Sequence, residues 1–442
     1  MAGSATPERV RRTLLCLALT ISSCSSSSGR LTLVTGGETD VFSRVPAPTS
    51  LVVDVVDTYG TRTNLTTAKL PTNEIDLGEL PRTNVGSIQV TGKDDVGTRL
   101  VYGATVGIQF AVLEGTTLPV FVQRSGEWAR YPGVLPDGRS APLLVATARS
   151  LLVGGGTDAA SAMQVTGYDV ATFGALTSIT VTRAARSMAV ANASALLVDD
   201  AGATGLDLAA GTTFDVAAPS GGSYVEVAGG PTVYGEDGEA YIVGAGRTEG
   251  APTVRVLKLD SAGKVTFLTM GAARLGAAVA WAKGRGLLVM GGNETAPGVE
   301  LLPKGASGAV SLPFPPDATH GASAAGLTDT TVLVAGGIDA QTNPQRTRVF
   351  DLTCAVTCTA VEWAGGLAQP LSPTQLFTTS PTTALVIGDD PSGATHTVRL
   401  DAASATELTP KIPRQHARAA RVATGSIVLV GGGSGTLESF VP

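Results

Sequence analysis

Short runs of aliphatic residues that end on two small or acidic residues recur along the chain. In TVLVAGG, residues 331–337, four β-branched or aliphatic residues and an alanine precede two adjacent glycines. Such a run predicts a buried β-strand that ends in a turn, because glycine adopts backbone conformations closed to other residues. The same pattern is found in LLVGGG at 151–156, ALLVDD at 195–200, AYIVGAG at 240–246, LLVMGGN at 287–293, VLVAGGID at 332–339, ALVIGDD at 384–390 and IVLVGGG at 427–433.

The runs are regularly spaced. The register marks are Gly155, Asp199, Ala245, Gly292, Gly337, Asp389 and Gly432, at intervals of 44, 46, 47, 45, 52 and 43 residues. After most marks an alternating strand ends in an aspartate: Asp169, Asp207, Asp260, Asp351 and Asp401. Before each mark lies another strand that often opens on a polar residue. A period in the mid-forties with short strands predicts a β-propeller.

Seven marks predict seven blades of four strands, with six or eight blades as the alternatives. The segment LPVFVQRSGEWARYPG at 118–133 precedes the first repeat and has the pattern of an outer strand. We expect it to close the ring against the last blade, which ends shortly after TLESF.

These repeats resemble the kelch repeat, in which an apolar strand closing on Gly-Gly lies between a polar-headed inner strand and a strand ending in Asp. The family's spaced Tyr and Trp are largely missing, and only Tyr168 and Trp363 stand near such places. The resemblance covers residues 114–442 and implies an all-β fold with a degenerate, kelch-like β-propeller.

Residues 31–113 carry short strand patterns outside the repeat register. Their spacing of about ten residues, with turn residues between them, predicts a small immunoglobulin- or fibronectin-like β-sandwich. An irregular cap on the propeller is the alternative, since the chain has no Cys…Trp…Cys core pattern here.

The composition supports an all-β protein. Charged residues are 15% of the chain, against roughly 25% in ordinary globular proteins, and glycine contributes 55 of 442 residues. The net charge of −6 is spread along the chain, so no nucleic-acid partner is expected.

The first thirty residues resemble the export signal of a bacterial lipoprotein. A basic stretch with Arg9, Arg11 and Arg12 precedes the short apolar segment TLLCLALTIS and then ISSC at 21–24. The resemblance to a lipobox implies a signal peptide over 1–23, a lipid on Cys24 and a Ser-rich tether over 24–30. Ser25 after the cysteine resembles outer-membrane sorting, so we expect a lipid anchor facing the periplasm or cell surface. An ordinary signal peptide is the alternative.

Cysteine usage agrees with export. Cys16 leaves with the signal, and Cys354 and Cys358 then form an even pair that predicts a disulfide across a turn. A metal site is not expected there, because the nearest histidine, His320, is over thirty residues away. No cofactor is expected. The clustered carboxylates of GEDGEA and GDDPSG are interpreted as acidic turns, with a calcium site as the weaker alternative.

No standard catalytic motif is present: the chain has no HExxH, no GxSxG and no GxxxxGK[ST]. The candidate ligand-binding residues are the polar ones that open the inner strands. They are Arg139, Arg186, Arg274, His320, Gln375, His416 and Arg418. Repeated geometry would place them around the central channel as a mildly positive ring able to hold a carboxylate or acidic sugar. The alternative is that each arginine bonds backbone carbonyls of its neighbouring blade.

The sequence therefore predicts an exported, membrane-tethered, non-enzymatic recognition or scaffold protein. It would bind an envelope protein or a glycan through the propeller, with the N-terminal module as a spacer. The alternative is an enzyme acting on extracellular carbohydrate, with galactose-oxidase-like architecture but without that enzyme's copper-site residues. A purely structural envelope component is the third hypothesis.

Overall fold

The computed structural model describes residues 29–442, except 79–84, 114, 340, 342, 345 and 364. The predicted signal peptide and Cys24 lie outside the described residues. The tether prediction reaches into them, where Gly29 is buried and Arg30 opens the first strand.

Seven four-stranded antiparallel sheets follow one another along the chain and form the seven blades of a β-propeller. An extra two-residue strand also pairs in blade 1. The predicted propeller with seven blades is confirmed.

The blades are built from the following strands. Blade 1 has β10 (Pro142–Ala146), β11 (Ser150–Gly155), β12 (Gln164–Asp169), β13 (Gly174–Ala175) and the extra β14 (Ile179–Thr180). Blade 2 has β15 (Ser187–Ala191), β16 (Ser194–Val198), β17 (Ala203–Asp207) and β18 (Thr212–Val216). Blade 3 has β19 (Thr232–Tyr234), β20 (Ala240–Val243), β21 (Thr253–Leu259) and β22 (Val265–Arg274). Blade 4 has β23 (Ala278–Ala282), β24 (Gly286–Met290), β25 (Val299–Pro303) and β26 (Val310–Leu312). Blade 5 has β27 (His320–Gly326), β28 (Thr331–Ile338), β29 (Arg348–Asp351) and β30 (Val361–Glu362). Blade 6 has β31 (Thr374–Ser380), β32 (Thr383–Asp389), β33 (Thr395–Asp401) and β34 (Ala405–Glu407). Blade 7 has β35 (Arg418–Arg421), β36 (Ile427–Val430), β37 (Thr436–Phe440) and the earlier β9 (Trp128–Val134).

Short helical turns connect some strands. They are the 3-10 helices Phe110–Leu113, Tyr224–Glu226 and Gly244–Gly246, and the α-helix α1 (Ala159–Ala162).

The second strand of each blade is the continuous apolar run seen in the sequence. It is buried because one face packs on the preceding blade and the other on the following blade; all of β24 and β36 is buried, for example. The glycines that follow are required by backbone geometry. Gly337 has φ +80°, and a Cβ on it would lie 2.8 Å from the Ala322 nitrogen. Only glycine fits at this approach to the inner strand.

The ring closes through β9, which pairs with β37 as the outermost strand of blade 7. Trp128 anchors this closure: its side chain is buried, and its indole N–H donates to the Thr397 hydroxyl at 2.9 Å. Its ring also packs on Phe440, with centroids 5.5 Å apart. The predicted single outer strand at 118–133 is in fact two strands. Its second half closes the propeller, and its first half joins the N-terminal module.

The N-terminal module is one mixed eight-stranded sheet in the order β3-β2-β5-β6-β8-β1-β4, with β7 also paired to β5. The strands are β1 (Arg30–Val34), β2 (Ser50–Asp57), β3 (Arg62–Lys69), β4 (Glu74–Asp76), β5 (Val85–Lys93), β6 (Arg99–Ala104), β7 (Ile108–Gln109) and β8 (Thr117–Arg124). β1 and β8 are parallel, and the module has its own apolar core around Leu51, Val53 and Ile88. The sheet therefore extends to Arg124, beyond the predicted boundary at 113. The immunoglobulin or fibronectin assignment stays a prediction.

The two parts of the chain share an interface beside blades 7 and 1. Phe121 of β8 and Tyr131 of β9 pack with ring centroids 4.5 Å apart. The Arg130 guanidinium donates to Glu38 at 3.0 Å, and the Gly37 N–H donates to the Arg130 carbonyl at 3.2 Å. The N-terminal sheet is thus packed against the strand that closes the ring.

Candidate functional site

The inner strands of all seven blades surround a central channel with a cavity volume of about 630 Å³. Its wall is mostly apolar, with Leu143, Met188, Val279 and Phe377 among the contributing side chains. The inner strands all begin at the same end of the channel, which we call the upper mouth. The polar groups of the wall therefore decide what the channel can recognise.

Three of the seven candidate residues line this channel: Arg186, Gln375 and Arg418. The sequence analysis missed the third arginine of the wall, Arg421, which ends β35 and so lies toward the lower end. Among the described residues no Asp or Glu lines the channel. The charged side chains of the described wall are therefore Arg186, Arg418 and Arg421, of which the first two are among the candidate residues.

Arg186 stands immediately before β15, at the upper mouth. Its guanidinium lies 2.8 Å from Asp200 and 3.5 Å from Glu249, and 40% of its side chain is exposed. Arg247 lies nearby: burial, and then the charge of Arg186, lower the pKa of Arg247. This part of the mouth holds two guanidinium groups and two solvent-exposed carboxylates.

Arg418 opens β35 and is held by the blade next to it. Its guanidinium donates to the buried Asp389 carboxylate at 2.8 Å. The same carboxylate oxygen lies 3.2 Å from the Nδ1 atom of His416. Gln375 spans the gap between blades 6 and 7: it accepts from the Ala419 N–H at 2.7 Å and donates to the Ala419 carbonyl at 3.0 Å.

The other four candidates do not line the channel. Arg139 is buried in the connection that enters blade 1, and Arg274 is buried at the end of β22, just before the connection that enters blade 4. The Arg274 guanidinium donates to the carbonyls of Gly291 and Pro297 and lies 3.4 Å from Glu300. Arg139 donates to three carbonyls of blade 1, those of Gly155, Ser161 and Gln164. These contacts are of the kind described by the alternative interpretation, in which each arginine bonds backbone carbonyls of its neighbouring blade.

Arg414 has the same role in blade 7 and was missed by the sequence analysis. It donates to the Gly431 and Thr436 carbonyls and to Glu438, and both charged side chains are fully buried. Arg139, Arg274 and Arg414 each precede an inner strand by three or four residues, which is the signal that could have separated them from the channel residues.

The two histidine candidates also lie off the wall. His320 opens β27 and packs against the backbone of Gly276 in the preceding connection. His416 has φ +54°, and 48% of its side chain is exposed beside Asp389. The predicted ring therefore divides into channel-lining residues and residues bound to the framework.

Other features of the described residues bear on chemistry. The predicted disulfide between Cys354 and Cys358 is confirmed. No group of three or more His, Cys, Asp or Glu that could hold a metal occurs within the described ranges. In that same part of the chain, no helix is both long and apolar enough to span a membrane.

Comparisons with known proteins give structural similarity only. No protein-family model matches the chain, and no curated protein matches it. A chain of the mitotic checkpoint complex is similar with a TM-score of 0.47 and 12% identity, over 72% of this chain and 95% of that one. The Neurospora crassa Pan2 WD40 domain is similar with a TM-score of 0.46 and 12% identity, over 71% of this chain and 96% of that one. The blade count rests on the strand pairing of this chain itself.

Proposed function

We propose that the protein is a non-enzymatic recognition module that binds an acidic segment of a protein or glycan at the upper mouth of its channel. The observation that carries the proposal is the combination of a cavity of about 630 Å³ with Arg186 and Arg418 on its wall. Guanidinium groups form strong, directional hydrogen bonds with carboxylates. The apolar wall below them offers a surface for the rest of the ligand.

Arg186 is the group best placed to exchange partners. Glu249, one of its two partners, has 81% of its side chain exposed, so its hold on the guanidinium is weak. A ligand carboxylate can take the position of Glu249 at little cost. Arg418 is held by the buried Asp389 and contributes a fixed positive charge to the mouth.

The proposal is tested by measuring whether the protein, produced without residues 1–24, binds to arrays of envelope proteins and glycans. The test variant is Arg186→Ala with Arg418→Ala. The matched control is Lys69→Ala with Lys283→Ala, which also removes two positive charges but from exposed positions outside the channel wall. We expect saturable binding that the control keeps, that the test variant loses, and that weakens as salt is added.

Two outcomes would contradict the proposal. Binding that survives the Arg186 and Arg418 substitutions would move the site away from the channel. The absence of binding to any acidic member of the arrays would leave the channel without a recognition role.

We also propose that the protein is exported and anchored to the outer membrane by a lipid on Cys24, with the N-terminal module as the spacer. The lipobox-like ISSC after a basic and an apolar stretch supports this proposal. The Cys354–Cys358 disulfide is a second support, because disulfides persist in oxidising compartments. Metabolic labelling with a palmitate analogue is expected to mark the wild type and not Cys24→Ser. Equal labelling of both would refute the anchor.

A further inference from the structure

We propose that the groove between blades 3 and 4 on the lower face is a second binding site, which takes a single neutral sugar ring of a glycan. This groove is separate from the channel and opens at the opposite end of the propeller from Arg186. The two sites share no lining residue.

The groove has a wall of stacked aromatic rings. Tyr241 of β20 and Trp281 of β23 lie with ring centroids 5.4 Å apart and planes 26° apart. Tyr241 is buried, whereas Trp281 keeps part of its surface accessible. The C–H face of a pyranose packs well on such an accessible aromatic ring, because both surfaces are apolar.

The aromatic wall is held in place by one carboxylate. Glu239 accepts from the Tyr241 hydroxyl at 2.6 Å and pairs with the Lys258 ammonium at 2.5 Å. The Lys258 nitrogen in turn lies 5.9 Å from the centre of the Tyr241 ring. Burial raises the pKa of Tyr241. Burial also acts to raise the pKa of Glu239, but the hydrogen bonds from Lys258 and Tyr241 outweigh it, so the pKa of Glu239 is lowered. These contacts fix the Tyr241 side of the wall.

Trp281 itself is held by packing alone. Its indole N–H is buried and has no acceptor among the described residues, so no hydrogen bond fixes the orientation of the ring. The ring contacts Tyr241 on one side and approaches the Gly235 backbone at its edge. Its fluorescence should therefore respond to a ligand that packs against it.

Polar groups surround this wall at the positions where sugar hydroxyls would lie. Lys264, Thr266 and Ser307 are exposed at the rim, and no ion pair holds Lys264 among the described residues. Asp260 also lines the groove. An ammonium, a carboxylate and two hydroxyl groups offer both donors and acceptors, which is what a polyhydroxylated ring requires.

The size of the groove limits the ligand. Its cavity volume is about 200 Å³, below the range of roughly 300–1,000 Å³ typical of drug-sized ligands. One ring of a glycan fits this space, with the rest of the chain leaving along the rim. A backbone bridge between Thr269 and Gly308 joins blades 3 and 4 next to the lining residues Leu268 and Ser307.

Tryptophan fluorescence of the full chain, titrated with the methyl glycosides of glucose, galactose, mannose and N-acetylglucosamine, tests the site. Trp128 and Trp363 do not line the groove, so their fluorescence forms a constant background. We expect a saturable spectral change with at least one glycoside. Trp281→Phe should remove the fluorescence signal. Calorimetry should show that this variant still binds the glycoside, because the phenyl ring keeps an aromatic surface in the groove.

Rim substitutions provide the test that does not depend on folding. Lys264→Ala and Thr266→Ala are exposed changes, and each should weaken binding roughly threefold to tenfold, as expected for the loss of one hydrogen bond. The Arg186 and Arg418 double variant should bind the glycosides as the wild type does.

Three results would overturn the inference. They are no saturable change with any of the four glycosides, wild-type affinity in both rim variants, and loss of glycoside binding in the channel variant. The last would assign the sugar to the channel, while loss of acidic-ligand binding with intact glycoside binding would refute nothing about the groove. The failure of each proposal is therefore distinguishable from the failure of the other.

Discussion

Replacing Arg274 by methionine tests whether the buried arginines belong to the framework and not to a binding site. Methionine keeps most of the length and volume of the side chain and removes the charge. The substitution leaves the Glu300 carboxylate, which is 2% exposed, without its cationic partner. It also leaves the carbonyls of Gly291 and Pro297 without the donor that joins them to the blade connection.

The expected loss of stability is large. Removing one partner of a buried ion pair costs about 3–5 kcal/mol, because an uncompensated charge stays buried. Replacing both partners, Arg274→Met with Glu300→Leu, should recover most of this loss, since apolar side chains of similar volume can fill the site. Arg186→Ala should cost less than about 1 kcal/mol, because exposed ion pairs contribute little.

Urea unfolding followed by circular dichroism measures these differences, with the midpoint compared at constant slope. The double-mutant cycle for Arg274 and Glu300 should give a coupling free energy of about 2 kcal/mol or more. A loss below about 1 kcal/mol for Arg274→Met, or a loss equal to that of Arg186→Ala, would refute the framework role. It would also return Arg274 to the set of candidate binding residues.

Three further outcomes are expected. Gly337→Ala should destabilise the fold by at least about 1 kcal/mol, because φ is +80° and the new Cβ would lie 2.8 Å from backbone atoms. Gly60→Ala is the control for backbone strain alone, since Gly60 has φ +84° and no atom lies within 4 Å of its Cβ position. Equal losses of stability in the two variants would refute the steric part of the argument. Burial lowers the pKa of His396, but hydrogen bonds to Glu407 and Asp390 outweigh it and raise the pKa above 6.5. The interactions of protonated His396 therefore stabilise the fold fully below pH 6.5, and this stabilisation is lost as the pH rises through the raised pKa. An NMR titration should show a lower His396 pKa in Glu407→Gln, and an unchanged value would contradict this account. Trp128→Ala should cost about 3–5 kcal/mol by opening a cavity at the ring closure, measured by thermal unfolding, and a loss under about 1 kcal/mol would argue that the closure is held elsewhere.

The architecture was largely predictable because its pairing is local. Within a blade, each strand pairs with the strand next to it in sequence, so hairpins such as β23-β24-β25 are specified by the order of apolar runs and turn residues. The glycines of VLVAGG follow from the same local geometry, a positive φ next to an inner strand. The disulfide prediction relied on short spacing in the same way. Seven marks were therefore enough to predict seven blades.

The ring closure depends on contacts that no local pattern encodes. β9 pairs with β37 across some three hundred residues, and β8, which precedes it by a short turn, pairs instead with the N-terminal sheet. Both strands have the apolar alternation of an outer strand, so the segment 118–133 looked like one element. The tertiary structure separates them: β8 pairs with the N-terminal sheet, whereas Trp128 of β9 packs on Phe440 of blade 7.

The sequence by itself determined the period, the strand order within each blade and the kind of charge that the channel carries. Only the tertiary structure decided which arginines face the channel. Arg186 and Arg418 stand at the start of an inner strand, whereas Arg274 stands four residues before one. Because of that difference, the guanidinium groups of Arg186 and Arg418 lie at an open cavity. The guanidinium of Arg274 instead contacts a buried carboxylate and two backbone carbonyls. The physical reason is that a shift of a few residues along a connection changes the face on which a side chain emerges, and burial then determines whether its charge meets a ligand or the protein's own backbone.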